Sequence, residues 1–136
     1  MSALDELGTG DELPEQTYAV TRADLVRYAG ASGDFNPLHT DEVFTTKIAG
    51  YPSVFAHGML TMGLTGTLLT DALGNGTLRT FGVRFRSQVW PGDTLTATAT
   101  VTEVTRSEDG TLVSVDVETV NQKGEVVVSG TATAVL

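Results

Sequence analysis

Beyond Thr77 the sequence is written with a period of two. Phe81, Val83, Phe85 and Val89 alternate with Gly82, Arg84, Arg86 and Gln88, and Leu95, Ala97, Ala99 and Val101 alternate with threonines 94 to 102. Successive side chains of a strand point to opposite faces, so this spacing makes strands with one buried side and one wet side. Trp90-Pro91-Gly92-Asp93 puts proline and glycine at the central positions of a type II turn. Residues 107–110 and 121–124 supply two further turns, leaving strands over 112–120 and 126–136. Consecutive strands joined by tight turns are antiparallel. A sheet that is apolar on one face must be covered by something else.

One stretch can cover it. Met59, Met62, Leu64, Leu68, Leu69 and Leu73 recur mostly at three- and four-residue steps, the pattern of a helix over 58–73. Gly63 and Gly66 each weaken a helix interior by about 0.5–1 kcal/mol relative to alanine. Close approach of a sheet or a ligand would offset that cost. Gly74-Asn75-Gly76 ends the helix. Upstream, a short strand is expected near 17–20. Thr21 with Asp24 three residues on makes a capping-box-like start, with Asp in place of the preferred Glu or Gln. That helix should run to about Ala31 on an apolar face of Leu25, Val26, Tyr28 and Ala29. Asp41 can cap a short helix through about Lys47, broken by Gly50-Tyr51-Pro52. The pattern is α+β, a long helix wrapped by an antiparallel sheet, in a single domain over 1–136.

Composition narrows the function classes. The chain has 136 residues, 40% hydrophobic and 18% charged, which is ordinary for a globular domain with a real core. It has no cysteine, so neither disulfides nor thiolate metal sites are possible, which fits a reducing cytoplasm. Residues 1–14 are acidic and polar, without the order of a signal peptide, and no apolar run suggests a membrane helix. A net charge of −9 and scattered basic residues argue against a nucleic-acid partner.

The chemistry concentrates in Ser32-Gly33-Asp34-Phe35-Asn36-Pro37-Leu38-His39. This stretch holds one of two histidines, with a carboxylate five positions upstream and a proline between them. Histidine can take and return a proton near neutral pH. Pro37 fixes its own φ and pushes Asn36 towards an extended conformation, so the preceding helix cannot continue and a stiff loop is expected. A carboxylate and an imidazole on such a loop can converge on one water. They could also do no more than stabilise the loop. Asp34-x-Asn36 faintly resembles a calcium loop, but Leu38 occupies a required oxygen position and the glycine is missing, so no metal is expected. His57, at the start of the long helix, reads by itself as a cap or packing residue.

Tyr28 and the Ser32-to-His39 stretch resemble the signature of the MaoC-like family of (R)-specific enoyl-thioester hydratases and dehydratases. Ala56-His57-Gly58-Met59 matches the start of that family's central helix, and the stretch over 85–95 with Pro91-Gly92-Asp93 is similar to its strand-turn-strand. The resemblance implies a hot-dog fold, edge-joined as a homodimer or heterodimer. It implies a lyase that hydrates trans-2-enoyl thioesters to (R)-3-hydroxyacyl thioesters, or the reverse, in fatty-acyl metabolism. The acyl chain would arrive on coenzyme A or acyl carrier protein as substrate, with no resident cofactor.

In that scheme Asp34 and His39 are catalytic, holding the water between them; which of the two takes its proton is open. Negative charge develops on the thioester oxygen. A backbone N–H at a helix start, Gly58, is the candidate stabiliser. Asn36, His57 and Met59 are the implied substrate-binding residues, Asn36 orienting Asp34 or the water through its amide. Both carriers are anionic, so a few cations should ring the pocket mouth, although Arg84 and Arg86 read first as solvated sheet-face charges. Two competing functions are a hot-dog thioesterase, which releases free thiol, and a non-catalytic partner subunit that shapes a heterodimer's acyl tunnel. The latter has no reason to keep both Asp34 and His39.

Overall fold

The computed structural model describes residues 3–136. Its elements are β1 (Gln16–Ala19), α1 (Arg22–Ser32), α2 (Pro37–Thr40), α3 (Gly58–Leu73), β2 (Leu78–Phe85), β3 (Thr94–Ser107), β4 (Gly110–Val120) and β5 (Val126–Val135). The five strands form one sheet in the order β1-β3-β4-β5-β2, with every neighbouring pair antiparallel. Together with α3 against one face, this is the hot-dog arrangement.

The period-two reading of β3 holds where it matters. Leu95, Ala97, Ala99 and Val101 are all buried. The last three, with Val113, Val115, Val117, Ala132 and Ala134, form the face that receives Leu68, Leu69 and Leu73 of α3, while Leu95 packs with Val20, Leu25 and Val127 in a second cluster. Alanines at sheet positions let the helix sit close, so the leucines pack against backbone as well as side chain.

The first half of α3 differs from expectation. Met59 is 55% exposed, and the buried line runs instead through Thr61 and Thr65 into Leu68, Leu69 and Leu73. Burying a hydroxyl is tolerable only with a partner. Thr65 Oγ1 donates to the Thr61 carbonyl and shares a 2.6 Å hydrogen bond with Thr119 Oγ1 on β4.

Two further expectations are corrected. The alternation over 81–89 suggested one strand joined to β3 by the Pro-Gly turn, but β2 ends at Phe85 and pairs with β5. The turn forms, with Gly92 at φ +98° and Asp93 N–H donating to the Trp90 carbonyl. It binds the end of β1 instead, through Gly92 N–H to the Val20 carbonyl and Val20 N–H to the Asp93 carbonyl. Two strands lie between β2 and β3, a gap of about 14 Å at normal strand spacing, which residues 86–93 cross. Phe85, expected on the buried side, is 53% exposed. Secondly, the chain after Asn36 is not a loop: Pro37 begins the short helix α2, whose first position tolerates a residue without an N–H.

Candidate active site

The site is assembled from short-range hydrogen bonds that the Ser32-to-His39 residue types dictate. Thr21 caps α1 reciprocally, accepting from Asp24 N–H while the Asp24 carboxylate accepts from Thr21 N–H. At the far end Gly33 adopts φ +76°, a left-handed conformation that glycine enters without a Cβ penalty, and its N–H closes on the Ala29 carbonyl. Ser32 Oγ donates to the Tyr28 carbonyl and accepts from Asp34 N–H. Asp34 Oδ1 then accepts from Asn36 N–H at 3.2 Å, and Asn36 Oδ1 from Leu38 N–H at 3.0 Å. Each polar side chain fixes the backbone two residues on, which is why the turn needs these types in this order.

This places Asn36 differently from the expected role. Its side-chain oxygen is spent on capping α2, and it is the Asn36 backbone N–H that steadies Asp34.

α2 presents His39 half-buried, with Nδ1–H donating to the Phe55 carbonyl at 2.6 Å and the ring lying edge-on to Phe55. A carbonyl can only accept, so the bond fixes the proton on Nδ1 and leaves Nε2 free to exchange one. The strap that carries Phe55 is itself pinned. Phe55 N–H donates to the Leu38 carbonyl and Ala56 N–H to the Val89 carbonyl. Glu42 bonds Arg22 at 2.6 Å and accepts from Val54 N–H. Those contacts, the Arg22 guanidinium first, hold the Glu42 carboxyl below its ordinary range.

His57 lies behind His39. Only 2% of it is exposed, and its ring stacks on that of His39 with centroids 3.8 Å apart and planes 24° apart. Its Nε2–H donates to the Asp34 carbonyl at 2.9 Å, and Tyr28 packs against it edge-on. Nδ1 of His57 has no hydrogen-bond partner although it is buried. One buried ring thus braces both the backbone of Asp34 and the imidazole of His39. Because it is shielded by them, the expectation that His57 touches substrate is corrected to a bracing position.

One ligating atom from each of Asp34, His39 and His57 lies within 4.8 Å of the others. Two hydrogen bonds of about 2.8 Å span more than that, so a single water can bridge Asp34 and His39. His39 opens into a groove of about 340 Å³ between α2, the start of α3 and the chain after β2, lined also by Phe55, Gly58, Thr61, Phe85 and Arg86. Gly58 is the first residue of α3, so its N–H has no intrahelical acceptor, and a Cβ on it would sit 3.1 Å from the Phe85 ring. Met59, beside it, points outward and does not line this groove. A larger concavity, about 870 Å³, lies on the outward sheet face among Thr98, Thr100, Asp116, Glu118 and Thr131. It contains neither Asp34 nor His39.

Sequence reasoning missed Phe55, whose carbonyl fixes the tautomer of His39, and the stacking of the two histidines. A backbone acceptor has no residue-type signature, so only the proximity of the two histidine-bearing blocks could have hinted at either.

A profile of the MaoC-like domain matches residues 8–123. The chain belongs to the MaoC-like domain family. Among its relatives, 3-hydroxyacyl-thioester dehydratase Y of Mycobacterium tuberculosis is 39% identical over 93 residues, 66% of this chain and 30% of the relative. The match therefore spans less than a third of that relative's own length. Among solved structures, the (R)-hydratase from A. caviae involved in PHA biosynthesis superposes with a TM-score of 0.84 at 30% identity, covering 96% of this chain and 97% of that one. The ChsH1-ChsH2 complex from Mycobacterium tuberculosis superposes at 0.81 and 26% identity, covering 95% and 98%. No helix among the described residues is long and apolar enough to cross a membrane.

Proposed function

We propose that this MaoC-like domain reversibly hydrates trans-2-enoyl thioesters to (R)-3-hydroxyacyl thioesters in fatty-acyl metabolism. The observation that carries this is the approach of Asp34 and His39, whose ligating atoms lie within 4.8 Å, with His39 lining a groove that Gly58, the first residue of α3, also lines. The attacking water must lose a proton as it bonds C3, and C2 must gain one. Two groups flanking a single water can do both from one face, each typically worth about 10²–10⁴-fold. As the enolate develops, its negative oxygen meets the Gly58 N–H and the positive end of α3. His39 Nε2 and the Asp34 carboxylate are the proton carriers.

The acyl carrier, coenzyme A or acyl carrier protein, is substrate, and the site needs no resident cofactor or metal. One nitrogen of each imidazole is already donated to a carbonyl, His39 Nδ1 to Phe55 and His57 Nε2 to Asp34. We also propose an edge-joined dimer, homomeric or with a related hot-dog subunit. β2 is a sheet edge of eight residues ending in the exposed Phe85, the kind of free edge a second chain pairs with. A cytoplasmic setting fits the absence of cysteine.

The test is loss of the conjugated-enoyl absorbance of crotonyl and longer enoyl thioesters, with chiral analysis of the product. An (R)-3-hydroxyacyl thioester is expected. Release of free thiol, or no absorbance change from any assembly of the protein, overturns the reading.

A further inference from the structure

We infer that Arg86 is the binding residue for a phosphate of the thioester carrier; this rests on the hydratase reading. Of the eight lysines and arginines, Arg86 is the one that lines the groove holding His39 and Gly58. It also borders the outward concavity, so it stands on the rim where the site opens to solvent. Its side chain is aimed by structure on both sides. Backbone N–H donates to the Val127 carbonyl, and Nε–H donates to Ser129 Oγ at 3.0 Å, which leaves the terminal nitrogens to a ligand.

None of the other cations, Lys47, Arg84 and Lys123 included, lines that groove. Arg22 and Arg27 pair with Glu42 and Asp24, while Arg79 and Arg106 donate to backbone carbonyls. Among the described residues Arg86 has no carboxylate within ion-pair distance, in a chain of net charge −9. A polyanionic carrier is repelled by that surface as a whole, so a single oriented guanidinium at the mouth decides where its phosphate can rest. Asp116 and Glu118 line the outward concavity, Glu118 opposite Ser129 in the β4–β5 register, so that side of Arg86 is hostile to phosphate and the groove side is left to it. Arginine suits the task because its planar fork matches phosphate oxygens two at a time.

The experiment compares wild type, Arg86→Gln and Arg86→Lys on crotonyl thioesters of coenzyme A, of 4′-phosphopantetheine, and of N-acetylcysteamine, which has no phosphate. Arg86→Gln should raise KM for the coenzyme A ester about tenfold with kcat nearly unchanged, the size of one lost charge-assisted bond. Arg86→Lys should recover part of it, and the N-acetylcysteamine ester should not respond. A KM rise shared by the phosphopantetheine ester supports the inference and assigns the phosphate common to both carriers. A rise confined to coenzyme A supports it and assigns a nucleotide phosphate. Equal shifts on all three esters, or none, overturn it while leaving the hydratase reading intact. A wild-type protein inactive on all three overturns both.

Discussion

His39 and His57 stack with ring centroids 3.8 Å apart, and the buried ring donates to the carbonyl of Asp34. The two groups proposed to share a water are therefore held by one side chain from a third segment. His57→Phe retains an aromatic ring of similar size but leaves the Asp34 carbonyl without its donor. An acceptor stranded in this way costs about 1–3 kcal/mol. We expect thermal unfolding to shift down accordingly and kcat to fall at least tenfold with KM little changed. If kcat survives the substitution, the bracing role is wrong.

Asp34→Asn is the cleanest probe of the chemistry. The Asp34 side chain accepts from Asn36 N–H, and an asparagine oxygen can do the same, so the turn should persist. Only the proton-exchanging carboxylate is removed. Hydration should drop about 10²–10⁴-fold, the usual worth of a placed acid–base group, with unchanged melting temperature and circular dichroism. His39→Gln should lose a similar factor. Wild-type rates from either variant would relegate the pair to loop stabilisation.

Much of this was legible along the chain because it is local. The reciprocal cap of Thr21 and Asp24, the turn at Pro91-Gly92 and the termini of α3 are decided within four or five residues, and they lie where residue types put them. What is not local was misread. Pairing of β2 with β5 depends on which strand wins a distant edge, and the alternation of Phe81, Val83 and Phe85 is silent on that. Thr61 and Thr65 take the buried line of α3 because Thr119 across the sheet satisfies a hydroxyl, a partner 54 residues away in sequence from Thr65. At the site, the aspartate and histidine were visible as types. The tautomer of His39 was not, because it is set by the backbone of Phe55.

Gly58 separates space from hydrogen bonding. A Cβ there meets the Phe85 ring at 3.1–3.3 Å, tighter than ordinary contact, but Phe85 is half exposed and can yield. Gly58→Ala should therefore cost little stability while pushing the ring into the groove and crowding the thioester oxygen. A fall in kcat of about tenfold or more is expected, against the 10²–10³-fold typical of deleting an oxyanion donor outright. Phe85→Leu in the same chain should restore part of it if the ring is the obstacle; additive losses would show that it is not.

The cap of α1 gives a pH dependence with a defined sign. Hydrogen bonds from Thr21, backbone first, hold the Asp24 carboxyl below its ordinary value of 3.8, with Arg27 adding a smaller pull. A carboxyl depressed in the folded state stabilises it fully above the unfolded value and loses that contribution as pH falls through the folded one. Thr21→Ala should lower stability by about 1 kcal/mol at neutral pH. Asp24→Asn should lower the melting temperature at pH 7, and the gap from wild type should close as the solution is acidified below pH 4. A gap that stays constant to pH 2 would mean that the charge contributes nothing.

Two glycines should respond oppositely to the same methyl group. Gly63, within α3, has nothing within 4 Å of an added Cβ, so its cost is purely that of a flexible residue in a helix. Gly63→Ala should raise stability by about 0.5–1 kcal/mol. Gly130 sits in β5 opposite Val83, where an added Cβ would fall 2.0 Å from the Gly82 carbonyl oxygen and 2.8 Å from Val83 Cα. Those are backbone atoms of the neighbouring strand and cannot swing aside. Gly130→Ala must push β2 off β5, displacing Phe85 and Arg86 with it, so both stability and hydration should collapse together. Denaturant unfolding of the two variants beside wild type decides the matter: a Gly130→Ala protein as stable as Gly63→Ala would mean that β2 does not pack against β5 as closely as described.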